Sequence, residues 1–261
     1  MDDEFLDRMD QQLTGWKDPV GQLQAVLDND ELALFCQPIR ELAGAQGYPM
    51  AEVLVRMRSE ETALLPPGEF LPVFEHYHMM PQLDRWVVRT VARFIARGSK
   101  VPRFAINLSG QTIEDSGFPE FVAREIKAAG IAPAALMFEI DEGDILARPW
   151  PAELIGSALK RAGCGTLIDG FGRRSVSFAP LKSLRVDFIK VDGSITRKVL
   201  SNASAETKLK AILRVGETLG IGVVAEFVED QDVLTRLKAL GVGFAQGFGI
   251  THPHAIAAVA G

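Results

Sequence analysis

Short apolar runs alternate with amphipathic segments along most of this chain. The runs lie at Leu32–Ile39, Ala51–Met57, Phe104–Leu108, Leu136–Ile140, Gly165–Asp169, Phe188–Val191, Gly222–Glu226 and Phe244–Phe248, and predict eight strands. Between them, apolar residues recur at three- and four-residue spacing over Gly68–His76, Leu83–Ala96, Phe118–Ala129, Ala152–Ala162, Glu206–Leu219 and Asp230–Ala239, which predicts helices. An earlier helical pattern starts at Asp18-Pro19 and continues through Leu23, Val26 and Leu27, with the proline in the first turn. Alternation of strands and helices implies a parallel sheet. Eight such units predict an α/β fold, a TIM-like (β/α)8 barrel, with a doubly wound open sheet as the alternative. Residues 1–16 read as a ragged polar lead-in and 17–261 as one barrel domain, with no low-complexity stretch or linker between.

Composition narrows the choice of partners. The 261 residues include 28 Lys+Arg against 34 Asp+Glu, a formal net charge of −6. That balance argues against a protein that coats DNA or an anionic membrane, because neutralising phosphates needs basic surface. No apolar run reaches the roughly 18–20 residues of a membrane span, so no membrane insertion is expected. The start, MDDEFLDRMD, is acidic, unlike a signal peptide. Cys36 and Cys164 are too few for a disulfide framework or a four-cysteine zinc site. The expected location is cytoplasmic. His76 and His78, two apart on a helix, make a poor zinc chelate, and they and His252 with His254 read as helix-end and loop histidines.

The chemistry sits where charge interrupts the strands. Alternation puts Ala51, Val53, Val55 and Met57 on one face, and Glu52, Leu54 and Arg56 on the other. The pattern recurs with Asn107, Glu139, Asp169, Lys190, Glu226 and Gln246, each within or just after an apolar run. Charges turned into a barrel are costly unless paired or liganded, and barrels collect function at the C-terminal strand ends. Glu52, Asn107, Glu139 and Asp169 are all oxygen donors, the kind that hard cations such as Mg²⁺ or Mn²⁺ prefer. With Lys190 nearby, the set suits metal-assisted attack of water on a phosphodiester.

Eight segments occur in the order of one family: Gln37-Pro38-Ile39, Glu52-Val53-Leu54-Val55-Arg56, Asn107-Leu108-Ser109, Phe138-Glu139-Ile140-Asp141-Glu142, Ile168-Asp169-Gly170-Phe171-Gly172, Ile189-Lys190-Val191-Asp192, Ala225-Glu226-Phe227-Val228-Glu229 and Ala245-Gln246-Gly247. Over about residues 20–255 the chain resembles the EAL domain, a family of cyclic di-GMP phosphodiesterases and inactive relatives. The resemblance implies a modified TIM barrel that hydrolyses cyclic di-GMP to linear pGpG with two Mg²⁺ or Mn²⁺ ions.

Several positions depart from the family pattern. Family enzymes carry two consecutive aspartates where this chain has Asp169-Gly170, and the second helps hold the metal pair. The next stretch, Phe-Gly-Thr-Gly-Tyr-Ser-Ser-Leu in the family, reads Phe171-Gly172-Arg173-Arg174-Ser175-Val176-Ser177-Phe178. These changes predict a degenerate domain that is not an enzyme. In it Glu52, Asn107, Glu139, Asp169, Lys190 and Glu226 are vestigial, no metal is held at Glu52, Asn107, Glu139 and Asp169, and no cofactor is required. Arg173-Arg174 reads as a solvated pair or an anion or partner contact.

Ligand binding needs other residues. By resemblance, Gln37 and Asp84 reach guanine edges, Leu54 packs on the ligand, Arg56 holds phosphate, and Pro253 lies near the second base. Glu229 and Gln246 join this set. Phe227 reads either as core or as a ring stacking on guanine, and its place between Glu226 and Glu229 favours stacking. The departures are similar to those of a type IV pilus regulator whose EAL domain binds cyclic di-GMP and recruits a PilZ-type protein. The chain is therefore expected to be the C-terminal module of a longer protein controlling twitching motility, with upstream domains as a route to self-association. The first expectation is a cyclic di-GMP receptor relaying to a PilZ-type partner. An active, metal-dependent phosphodiesterase is the alternative, and a pure interaction module ranks third.

Overall fold

The computed structural model describes residues 18–29, 31–44, 48–58, 64–259 and 261. The lead-in assigned to 1–16 lies outside the described residues. Eight strands close into a barrel: β1 (Leu32–Glu41), β2 (Met50–Met57), β3 (Phe104–Leu108), β4 (Leu136–Asp141), β5 (Gly165–Phe171), β6 (Phe188–Val191), β7 (Gly222–Ala225) and β8 (Phe244–Ala245). A short β9 (His254–Ala255) adds to the side of β1. The strands run in sequence order from β2 to β8, and β1 closes the ring between β8 and β2.

The all-parallel expectation needs one correction. β1 runs antiparallel to both β2 and β8, with Gln37 opposite Glu52 and Arg40 opposite Ala245. Only residues 42–49 link the two strands, fewer than the dozen or so a parallel crossover needs, and so short a connection returns the chain antiparallel. β9 is also antiparallel to β1, and the neighbours from β2 through β8 are parallel.

The principal helices are α1 (Pro19–Asp28), α2 (Pro67–His76), α3 (Met80–Ala96), α4 (Phe118–Ala129), α5 (Pro149–Arg161), α6 (Ala203–Leu219) and α7 (Gln231–Ala239). Asp18 caps α1, its carboxylate accepting from Gly21 N–H at 3.0 Å, which explains why the helix begins there. Outward-facing strand residues such as Val53, Ile106, Phe138, Ile168 and Ile189 pack against the helices as the main core.

Inside the barrel lies a separate apolar layer of Ile39, Met50, Ala105, Met137, Leu167, Phe188 and Val224, backed by Phe244. Two residues further along each parallel strand the inner face turns polar, at Glu52, Asn107, Glu139, Asp169, Lys190, Glu226 and Gln246. On β1 the order is reversed, Gln37 preceding Ile39, as its opposite direction requires. A greasy floor thus carries a charged layer at the C-terminal mouth.

Phe138 is fully buried, its ring edge-on to Phe118 of α4 with centroids 6.0 Å apart. Phe138→Ala is expected to lower unfolding free energy by about 3–5 kcal/mol, read from denaturant titration. A loss below about 1 kcal/mol would mean that the layer between β4 and α4 collapses to fill the void.

Candidate active site

Lys190 of β6 is the centre of the charged layer. Its ammonium lies 2.8 Å from Glu139, 2.9 Å from Glu52, 3.2 Å from Glu226 and 3.3 Å from Asp169. Burial alone would lower the Lys190 pKa, but the surrounding carboxylates raise it well above the ordinary value. One ammonium cannot neutralise four carboxylates, so the set shares its protons unequally. Burial pushes Glu139 up, reinforced by the charge of Glu52. Glu226 is likewise pushed up by burial, to about 7. Glu52 is driven up by burial but held below the ordinary range by Lys190 and by hydrogen bonds from Asn107, Lys190 and Gln246. Asn107 Nδ2 donates to Glu52 Oε1 at 2.9 Å, and Gln246 Nε2 donates to Glu52 Oε2 at 2.7 Å. Glu139 Oε1 is buried with no hydrogen-bond partner among the described residues.

β5 changes course beside this layer. The β5–β6 register shifts between Ile168 and Phe171, and Gly170, inside that bulge, has φ +64°. A left-handed residue is cheapest as glycine, and such a bulge re-aims the strand end beyond it. Arg173 N–H then donates to Gly170 C=O at 3.2 Å, folding the arginine back across it. A Cβ on Gly170 would overlap the Arg173 guanidinium. Arg173 Nε donates to Asp192 at 3.0 Å and Nη1 to Asp141 at 2.9 Å. Of the two readings of Arg173, the freely solvated one fails: the arginine is a held part of the mouth.

Above the layer opens a cleft of about 480 Å³. Gln37, Glu52, Leu54, Arg56, Asp169, Glu226, Phe227, Glu229, Gln246 and Pro253, all singled out from sequence, line it. Gln37 donates to Thr251 C=O at 3.0 Å and accepts from Gln246 at 3.1 Å, so both amides are fixed before any ligand arrives. Phe227 is 47% exposed and has φ +53°, a strained setting for a residue with a side chain. Its ring lies against Gly193, where a Cβ would collide with it, and 4.2 Å from the Arg197 guanidinium. The core reading of Phe227 therefore fails, because this backbone turns the ring out of the barrel.

Asp84 is corrected. It is buried on α3 and does not line the cleft. Its Oδ2 accepts from Ser109 N–H at 3.0 Å, Ser109 Oγ at 2.8 Å and Thr112 Oγ1 at 2.5 Å, tying α3 to the short helix after β3. Sequence reasoning missed Arg197 and Phe248, which also line the cleft. Phe248 comes just after a strand end, as Phe227 does, and that placement was the available signal; Arg197 lies past a four-residue helix and offered none.

A divalent cation needs several oxygen donors at once. No group of three or more His, Cys, Asp or Glu among the described residues is preassembled to hold a metal ion. The donor chemistry of Glu52, Asn107, Glu139 and Asp169 nevertheless suits one hard cation, as do the unpartnered Glu139 oxygen and the excess of carboxylates over Lys190. At the neighbouring position the residues do not fit a second: Gly170 offers no donor and Arg173 covers it.

A family model described as the EAL domain matches residues 20–253. The chain belongs to the EAL domain family. This EAL domain is 32% identical over 237 residues to the cyclic di-GMP phosphodiesterase PdeF of Escherichia coli, covering 90% of this chain and 31% of that protein. It is 30% identical over 239 residues to the cyclic di-GMP phosphodiesterase PdeB of Shewanella oneidensis, covering 90% and 28%. The chain thus spans less than a third of these curated relatives. Among solved structures, the FimX EAL domain from Pseudomonas aeruginosa bound to c-di-GMP aligns with a TM-score of 0.84 and 28% identity, covering 92% of this chain and 97% of that one. These relatives correct the expectation that the EAL domain is not an enzyme: they carry cyclic di-GMP phosphodiesterase names, pointing toward activity despite Gly170. Among the described residues, no helix is long and apolar enough to cross a membrane.

Burial pushes the Asp84 carboxyl up to about 6, against the hydrogen bonds from Thr112 and Ser109. An unfolded chain holds that proton with a pKa near about 3.9. The stabilisation is therefore complete below about pH 4 and is lost as pH rises through about 6, an effect of about 3 kcal/mol. Wild type compared with Asp84→Asn should show this in unfolding free energies between pH 4 and 7. A pH-independent difference would mean that Asp84 is not the group responsible.

Proposed function

We propose that this domain binds cyclic di-GMP in the cleft and hydrolyses one of its phosphodiester bonds to linear pGpG. The observation that carries the proposal is the inward set Glu52, Asn107, Glu139, Asp169, Lys190 and Glu226 at the floor of a cleft whose rim bears Arg56 and Phe227. The phosphodiesterase names of the relatives and the c-di-GMP bound by the FimX EAL domain support it.

The roles rest on residue chemistry. Arg56 offers a guanidinium fork to a phosphate. Phe227 offers a face to a guanine, a contact of about 1–3 kcal/mol. Gln37, Gln246 and Glu229 supply acceptors for the guanine N–H edge, and Leu54 and Pro253 supply apolar walls. Glu52, Asn107, Glu139 and Asp169 would hold Mg²⁺ or Mn²⁺, which when bound polarises the phosphate and makes water a stronger nucleophile. Lys190 fixes the carboxylates in place. Glu226, whose carboxyl burial pushes up to about 7, would accept a proton from the attacking water as the new P–O bond forms and return it to the 3′ oxygen as that bond breaks.

A second, compatible reading is that a protein partner of the PilZ type reads the nucleotide-loaded domain in control of type IV pili and twitching motility. The likeness to the FimX EAL domain favours it. Sedimentation of the chain with a PilZ-type protein tests it: a heavier species with cyclic di-GMP supports the relay, and none in either condition sinks it.

Calorimetric titration with cyclic di-GMP, in Mn²⁺ and then in EDTA, with each sample assayed for pGpG, tests the main proposal. Product is expected with Mn²⁺ and none with EDTA; no product in Mn²⁺ would sink the hydrolytic half. Arg56→Ala should weaken binding by about 1.5–3 kcal/mol. An unchanged dissociation constant would remove Arg56 from the phosphate.

A further inference from the structure

The floor of the cleft poses an electrostatic difficulty for any phosphodiester. Glu52, Asp169 and Glu226 face the same space as the ligand, and Lys190 is already surrounded by them. Positive charge must come from the walls. Arg197 is spent on the Phe227 ring and on Glu229, 3.5 Å away. Arg56 supplies one such charge from the rim, although its Nη1 already donates to Val55 C=O and the guanidinium lies over the Phe35 ring.

Arg173 is differently placed. Two of its three nitrogens are fixed, Nε on Asp192 and Nη1 on Asp141, so the guanidinium plane is set by the residue that ends β4 and the one just past β6. The third, Nη2, makes no hydrogen bond among the described residues. It projects across the space that a side chain at Gly170 would take, next to Asp169, and its side chain is 53% exposed at the cleft. The left-handed Gly170 and the turn from Gly170 C=O to Arg173 N–H are what put it there. A guanidinium held by two carboxylates with one edge free is preorganised to receive an anion with little ordering cost.

We infer that Arg173 is a phosphate-binding residue of this cleft, presenting Nη2 to a phosphodiester of the bound nucleotide as a permanent cation. The inference rests on the cyclic di-GMP reading above. It gives Gly170 a positive role: the missing side chain is the space the arginine occupies. It also implies nucleotide affinity that survives removal of divalent cations, because this charge cannot be chelated away.

Calorimetry with cyclic di-GMP in EDTA separates the outcomes. Arg173→Gln should bind at least tenfold more weakly than wild type and with a shallower dependence on salt. Arg173→Lys should recover part of the loss. Loss of Arg173 also bares two carboxylates, so the double variant Arg173→Gln with Asp192→Asn restores the local charge, and asparagine still caps the short helix after β6. If the double variant stays weak, Arg173 acts by contact; if it regains wild-type affinity, the arginine only neutralises Asp192 and the inference falls. Unchanged affinity and salt dependence in Arg173→Gln would overturn the inference while leaving the nucleotide reading intact. No binding by wild type in EDTA or Mn²⁺ would overturn both.

Discussion

One buried ammonium facing four carboxylates sets the terms for the whole mouth of this barrel. Lys190 is 1% exposed and Glu139 is fully buried, so neither can be relieved by water. The attraction compensates desolvation only while the geometry stays tight, and each neighbour contributes to that. Asn107 and Gln246 hold Glu52, and Gln246 is itself held by Gln37. The apolar layer beneath fixes the depth of every strand, because each polar inner residue on the parallel strands sits two positions beyond an apolar one. A slip of one residue in any strand would turn a charged group into the helix-packed core and an apolar one into the site.

Much of this was readable in the chain. All eight strands appear where the apolar runs fall, and Phe118–Ala129 matches its helix at both ends. The inward charges were legible because Glu, Asn, Asp and Lys interrupting a period-2 apolar pattern must, in a closed barrel, meet one another at its mouth. The direction of β1 was missed although the signal was present: Gln37 precedes Ile39, whereas Glu52 comes after Met50. Asp84 was misplaced because a buried carboxylate satisfied by Ser109 and Thr112 looks, in sequence, the same as one waiting for a ligand. Whether Arg173 was solvated or a contact residue stayed open in the sequence, because its partners, Asp141 and Asp192, are distant along the chain and meet it only through a backbone bulge. Patterns of burial are local and survive translation into sequence rules; side-chain commitments made across strand ends do not.

Phe227 and Gly170 show two uses of left-handed backbone within one rim. At Gly170 the conformation is nearly free and steers the loop that carries Arg173. At Phe227 it is strained, on the order of 1–2 kcal/mol for a residue with a Cβ, and the ring is exposed besides. Strain and exposure together are tolerated where the surroundings enforce them, here by Gly193 beneath and Arg197 alongside. The carboxylate floor and this rim thus divide the cleft: buried charge below, and above it a ring and two arginines, Arg173 and Arg197, held at the surface.

The reversed first strand also governs when the barrel can exist at all. β1 is finished early in the domain's synthesis and pairs first with β2, yet Arg40 finds its strand partner only in Ala245, and the other edge of Cys36 waits for His254. Until those last segments leave the ribosome the ring is an open sheet with a bare edge at β7, and Gln37 has no Gln246 to hold it. Ring closure thus belongs to the end of the domain's translation, and a nascent chain must keep an unpaired strand edge from other partners for nearly the whole length of the barrel.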